Sequence, residues 1–235
     1  SEAVFDTSSP AEEGMSLVPW GPVSVWGSTE TLVERDVNGF APSHEDIDFL
    51  LKTLNNHLAS PITRADIISV RTGVRPIPIK KGKEFSEDPL LLSKKFIIHH
   101  DAPHQALSVY GGKITSALLI AESIKIFLNK AFPLPAKIPE LSPQNPETIK
   151  AFGYSVTSPQ WSKEHECASS LHDYLRRRTN ISQWIPRGGF GKNNEHETTL
   201  KELSVLFHGG DENLATIELE KYKIQIETDY ETLKD

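Results

Sequence analysis

The chain has one cysteine, Cys167, and one methionine, Met15, among 235 residues. A single thiol excludes an internal disulfide framework and suits a reducing compartment. No apolar run reaches the roughly 20 residues that cross a bilayer as a helix, and the first 14 residues are small, polar and acidic, without the apolar centre of a secretory signal. Positive charge is not in excess: 25 Lys and Arg stand against 32 Asp and Glu, a formal net charge of -7. That balance argues against general nucleic-acid binding. Zinc-ligand spacing and a Ser-His-Asp order are also missing among the histidines. Hydrophobic residues nevertheless make up 37% of the chain, enough for a real core in one large domain or in one domain with an appendage.

Read along its length, the sequence predicts an α+β protein. Residues 1–14 are expected to be a mobile end. The runs 15–20 and 23–28 flank Gly21-Pro22 and read as a hairpin. Ser43 followed by Asp46 has the form of an N-cap with an acid in the first turn. Ile47, Leu50, Leu51, Leu54 and Leu58 then recur at helical spacing. Residues 67–72 and 74–79 read as strands broken by Gly73, 80–92 as a charged loop, and 96–99 with 106–110 as a second hairpin. A helix over about 113–132 is apolar around much of its circumference and is expected to be largely buried. Prolines 133, 135, 139, 143 and 146 mark a linker. Helices are expected over 165–178, 195–208 and 211–234. The organisation is therefore an antiparallel sheet with packed helices over 1–132, a proline-rich linker over 133–164 and a small helical region over 165–235.

Three segments have chemical potential. Val109-Tyr110-Gly111-Gly112-Lys113-Ile114-Thr115 is a strand, a glycine pair and a helix start. Glycine admits close backbone approach, and a helix N-terminus offers N–H groups and partial positive charge. An ordinary strand-to-helix turn explains the same residues. Thr72-Gly73-Val74-Arg75-Pro76 holds an arginine in extended backbone. Its guanidinium suits a phosphate or carboxylate, and a surface ion pair would suit it equally. Trp26-Gly27-Ser28-Thr29-Glu30 is a strand running into hydroxyls.

Other patterns carry less. Gly188-Gly189-Phe190-Gly191-Lys192 lacks Walker spacing and a feeding strand, and reads as a flexible loop. Adjacent His99 and His100 on a strand point to opposite faces, which disfavours a shared metal. Arg176-Arg177-Arg178 reads as a solvated helix face or a contact to a neighbouring domain, and Cys167 has no thiolate-stabilising neighbour in sequence.

In order and spacing, the stretches Leu17-Val18-Pro19-Trp20, 26–30, the helix at 43–58, 72–76 and Ser108 to Thr115 together resemble FAD-dependent glycerol-3-phosphate dehydrogenase, of the D-amino-acid-oxidase-like flavoproteins. The resemblance covers about 15–130 and returns near Leu171 to Thr179. It implies FAD, oxidation of glycerol 3-phosphate to dihydroxyacetone phosphate by hydride transfer, and electron passage to quinone or oxygen. Arg75 and Lys113 would be the catalytic and substrate-binding residues, and Gly111, Gly112, Lys113, Ile114 and Thr115 would meet the flavin. A cytoplasmic location, peripheral contact with the inner membrane and a homodimer are further implications.

The family holds its dinucleotide on a Gly-x-Gly-x-x-Gly turn, and this sequence has none. With the opening Ser1-Glu2-Ala3, which simple trimming of a methionine would also explain, this leads to the expectation of a C-terminal part, inactive alone. Where the family carries a further arginine before the strand at 96–99, this chain has Lys94 or Lys95, depending on the gap. That departure keeps open another amine or hydroxy-acid oxidase of the same fold. The missing fingerprint keeps open a non-enzymatic interaction module.

Overall fold

The structure, a computed structural model, describes residues 4–6, 15–32, 42–79, 82, 86, 92–104, 106–131 and 145–233. It is α+β: three small antiparallel sheets and seven α-helices among the described residues. The first sheet has the order β1 (Val4–Asp6), β2 (Met15–Trp20), β3 (Val23–Gly27). Its central hairpin closes with Trp20 opposite Val23. Gly21 turns the chain at φ +63°, and a Cβ there would stand 2.7 Å from the Trp184 ring, so the turn needs glycine for both backbone and space. The N-terminal stretch expected to be mobile contains β1, whose Val4 to Asp6 pair with Leu17 to Met15. The rest of residues 1–14 lies outside the described residues.

Helix α1 spans His44–Asn55, and the Ser43 side chain accepts from the Asp46 N–H as its cap. The Trp26 indole donates to the Leu50 carbonyl at 3.1 Å and fastens α1 to the sheet. Asn55 then clamps Ile62, accepting from its N–H and donating to its carbonyl at 2.8 and 2.9 Å. Residues 67–79 depart from expectation, since they join no sheet. Pro76 and Pro78 have no N–H to give to a ladder, and the segment has neither helix nor strand. The loop expected at 80–92 falls largely outside the described residues.

Strands β4 (Ile97–Asp101) and β5 (Ala106–Tyr110) form the second hairpin, with Ile97 opposite Tyr110. A 3-10 turn, Ile114–Ser116, leads into α2, Ala117–Ala131. This helix is not largely buried: Ile114 is 90% and Leu118 82% exposed, and Leu119 and Ile126 also face solvent. Its apolar circumference is covered only in part by the described residues.

The proline-rich segment through residue 144 lies outside the described residues. Beyond it, β6 (Thr148–Ala151) and β7 (Tyr154–Thr157) pair across Phe152-Gly153. Both turn residues have positive φ, +53° and +82°, the pattern that matches hairpin twist. The helical part follows: α3 (Pro159–His165), α4 (Leu171–Asp173) running into a wide π turn at Tyr174–Arg178, α5 (Ile181–Trp184), α6 (Glu197–Phe207) and α7 (Glu212–Asp229). The main core sits here, built from Leu171, Tyr174, Leu175, Ile181, Phe190, Leu200, Phe207 and Tyr222 with their neighbours.

The glycine-rich segment 188–191 is no flexible loop. Its residues are buried, the Tyr222 hydroxyl donates to the Gly188 carbonyl, and a Cβ on Gly188 would strike Ile226. The arginine run is partly tied down: Arg177 pairs with Asp173 at 3.1 Å, and Arg178 donates to the Glu166 carbonyl at 2.7 Å.

Candidate functional site

The three segments singled out in the sequence meet in one place. Strand β3 delivers the chain to Glu30, and side chains near it in sequence reach α1. Trp26 is bonded to Leu50, and the Thr31 hydroxyl donates to Asp46 at 3.4 Å. Arg75 reaches Glu30 from the extended segment, with Nη1 2.6 Å from Oε1. Lys94 reaches the other carboxylate oxygen from the lead-in to β4, with Nζ 2.9 Å from Oε2. The Glu30 side chain is 15% and the Lys94 side chain 10% exposed, whereas Arg75 is 42% exposed. Charges withdrawn from water this far must be matched, and Glu30 offers one oxygen to each of these cations.

The turn after β5 abuts the same cluster. A Cβ on Gly111 would meet the Pro78 ring, with Cγ at 2.7 Å, and the Pro76 carbonyl at 3.2 Å. On Gly112 it would stand 3.0 Å from the Phe96 Cβ and 3.3 Å from Ile120. Both glycines have positive φ, +66° and +90°. Close packing against the segments that carry Arg75 and Lys94 therefore accounts for the glycine pair. Lys113 follows in extended backbone as the cap of the 3-10 turn, and Lys113, Ile114 and Thr115 are exposed.

Lys94, not Lys95, is the lysine that faces Arg75 across Glu30. Glu30 was given no role by the sequence reading. Its one signal was an acid directly after a strand end, which many loops share. The other patterns stay apart from this cluster. His104 pairs with Asp101 at 2.8 Å at the far end of the β4–β5 hairpin, and Cys167 is exposed in the helical part.

Sequence comparison sets the chain beside one class of enzyme, the glycerol-3-phosphate dehydrogenases, and it is homologous to a stretch of them. It is 31% identical over 166 residues to the glycerol-3-phosphate dehydrogenase of Mycobacterium leprae, across 69% of this chain and 26% of that protein. It is 29% identical over 110 residues to the aerobic glycerol-3-phosphate dehydrogenase of Escherichia coli, across 45% and 21%. With the mitochondrial glycerol-3-phosphate dehydrogenase of Schizosaccharomyces pombe it shares 28% over 126 residues, across 51% and 19%. The chain thus aligns with about a quarter or less of the length of these relatives. No protein-family model matches it, and no solved structure does. Among the described residues, no helix is long and apolar enough to cross a membrane.

Proposed function

We propose that residues 15–131 form the substrate-binding and flavin-edge part of an FAD-dependent glycerol-3-phosphate dehydrogenase, which oxidises glycerol 3-phosphate to dihydroxyacetone phosphate. The observation that carries this reading is the convergence of Arg75 and Lys94 on one carboxylate, beside the Gly111-Gly112 turn. Two cations from separate segments, one partly open to solvent, make a seat for a phosphate monoester. Arg75 would grip the phosphate with its planar fork. Lys94 would add a point charge from the inner side, and Lys113 would stand near the substrate or the flavin.

The exposed start of α2 fits the flavin's edge. Gly111, Gly112, Lys113, Ile114 and Thr115 present an apolar side chain, a hydroxyl and first-turn N–H groups to the outside. Such N–H groups favour negative charge. When bound, FAD supplies the acceptor for the hydride that leaves C2 of the substrate. The residues of this chain bind and orient the phosphate end so that C2 is presented to it. Quinone or oxygen as the final acceptor, a homodimer and peripheral membrane contact belong to the same proposal.

The test is the visible spectrum of the intact gene product before and after anaerobic glycerol 3-phosphate. Bleaching of the flavin band is expected. In the same enzyme, Arg75→Ala is expected to raise KM by about 30- to 150-fold, the equivalent of roughly 2–3 kcal/mol for one charge-assisted contact. An unchanged KM removes Arg75 from the site, and a colourless protein overturns the reading in favour of an interaction module. A lysine, Lys94 or Lys95, where the resemblance implies an arginine favours a second reading: an oxidase of unphosphorylated hydroxy acids or amines. Bleaching by those substrates alone would select it.

A further inference from the structure

Helix α7 is apolar on two opposite sides. Ala215, Leu219, Tyr222 and Ile226 are buried in the helical part. Leu214, Ile217 and Ile224 lie on the other side and are 50%, 53% and 64% exposed. A surface helix ordinarily carries polar residues there. Residues 214, 217, 221, 224 and 228 recur at alternating steps of three and four, the seam spacing of paired helices, and all five are exposed. We propose that this seam packs against the same seam of a second copy of the chain, the two helices running antiparallel about a twofold axis. The inference supplies a surface for the homodimer of the reading above, and it stands on α7 rather than on the flavin or substrate site.

The charges on the seam select both the occupant and the direction. Lys221 stands in the middle of the apolar row and Glu220 directly beside it, both exposed. Among the described residues, neither makes an ion pair within its own chain. The acid one turn before Lys221, Glu218, is occupied in accepting from the Leu171 N–H at 2.8 Å. A parallel pair in register would set Lys221 against Lys221, and like charges at a seam position disfavour that pairing. An antiparallel pair centred near residue 219 sets Leu214 against Ile224 of the second copy. It lays Ile217 along the stem of the second copy's Lys221 and brings the Lys221 ammonium beside the second copy's Glu220. By the twofold axis each contact is made twice. Two lysines and two glutamates then meet near the axis, so the seam is locally balanced although each chain carries a net charge of -7.

The size of the seam sets the strength. From Leu214 to Thr228 it is about 21 Å long, a small contact, so association is expected to be reversible in the micromolar range.

The experiment is sedimentation velocity of the purified 235-residue chain over about 1–100 µM. Reversible association to twice the chain mass is expected. Ile217→Lys and Ile224→Lys act at exposed positions, so each monomer should keep its helical circular dichroism while the dimer Kd rises at least about tenfold. Lys221→Glu and Glu220→Lys are each expected to raise Kd about fivefold, and the two together to return it to within about twofold of the original value. Ile126→Ser, on the exposed face of α2, should leave Kd unchanged. A chain that stays monomeric throughout leaves the seam to another occupant and overturns the proposal. A dimer dissociated by Ile126→Ser but not by Ile217→Lys also overturns it. A double charge exchange no better than its single parts overturns the antiparallel pairing. None of these readouts uses flavin or glycerol 3-phosphate, so a monomer leaves the spectral test standing and a protein that does not bleach leaves this seam intact.

Discussion

Tyr174, Tyr222 and Phe190 in the helical part are almost wholly buried, while Ile114 and Leu118 at the start of α2 stand almost wholly in solvent. The regions 15–131 and 147–233 thus use apolar side chains in opposite ways. The second closes a core on itself, with fifteen buried residues in one cluster. In the first, Met15, Ile47 and Leu54 are the buried large side chains. That region is held instead by local devices: two hairpins, the Ser43 cap, the Asn55 clamp and the bridge of Glu30 to two cations. Contacts such as the Ser69 hydroxyl on the Gln183 carbonyl join the two regions. The contrast teaches where stability and chemistry sit. The helical part can lose little without unfolding, whereas the sheet part keeps charge and open surface at the cost of a core.

The largest expected effect tests that contrast directly. Phe190→Ala removes a ring that is 1% exposed and stacks 5.9 Å from Tyr222. It should cost about 3–5 kcal/mol in urea unfolding followed by circular dichroism. Phe49→Ala on α1, whose ring is exposed, should cost about 0.5 kcal/mol or less. Equal losses would break the comparison.

A smaller effect sharpens it through pH. Burial raises the Tyr230 phenol to about 12, ahead of smaller opposing interactions with Gly188 and Arg176. Burial also pushes Tyr222 and Tyr174 well above the ordinary phenol range. A phenol raised by folding lends stability that is complete below the unfolded value near 10 and is lost as pH climbs through the folded value. Tyr230 alone should withdraw about 2–3 kcal/mol between about pH 10 and 12. Ionisation also removes the hydroxyl donated to the Ser182 carbonyl. Absorbance at phenolate wavelengths should therefore rise together with loss of helical circular dichroism. Titration of Tyr174, Tyr222 and Tyr230 near the ordinary value with the helices intact would show that the core is not closed.

The same contrast explains what the sequence made legible. Signals that act within a few residues were readable: Gly21-Pro22 between apolar runs, Ser43 before α1, and the paired strands ahead of Gly111. Features that depend on distant partners were not. Residues 67–79 have strand-like side chains, but Pro76 and Pro78 withhold the ladder donors. Gly188 to Gly191 read as a loose loop because the Tyr222 hydroxyl and the Ile226 side chain that pack on it arrive from more than thirty residues away. At the candidate site, Arg75 and the glycine turn were singled out from local pattern. Glu30 was passed over because its meaning lies in two cations from other segments.

The smallest expected effect bears on function. Leu118 is 82% exposed, so Leu118→Ser in the 235-residue chain should change unfolding free energy by about 0.5 kcal/mol or less, as for a surface site. If the start of α2 lies against flavin, the same substitution in the flavin-loaded protein exposes nothing new in the unfolded chain but removes a buried contact from the folded one. There it should cost about 2–5 kcal/mol, the range for a large aliphatic side chain lost from a core, and should weaken flavin retention measured by release on dilution. A residue that is silent in one context and costly in the other marks a surface built for a partner. Equal and small effects in both would mean that this exposed turn is ordinary surface, and would remove the proposed flavin-edge role of Ile114 and Thr115 while leaving the proposed role of Arg75 untouched.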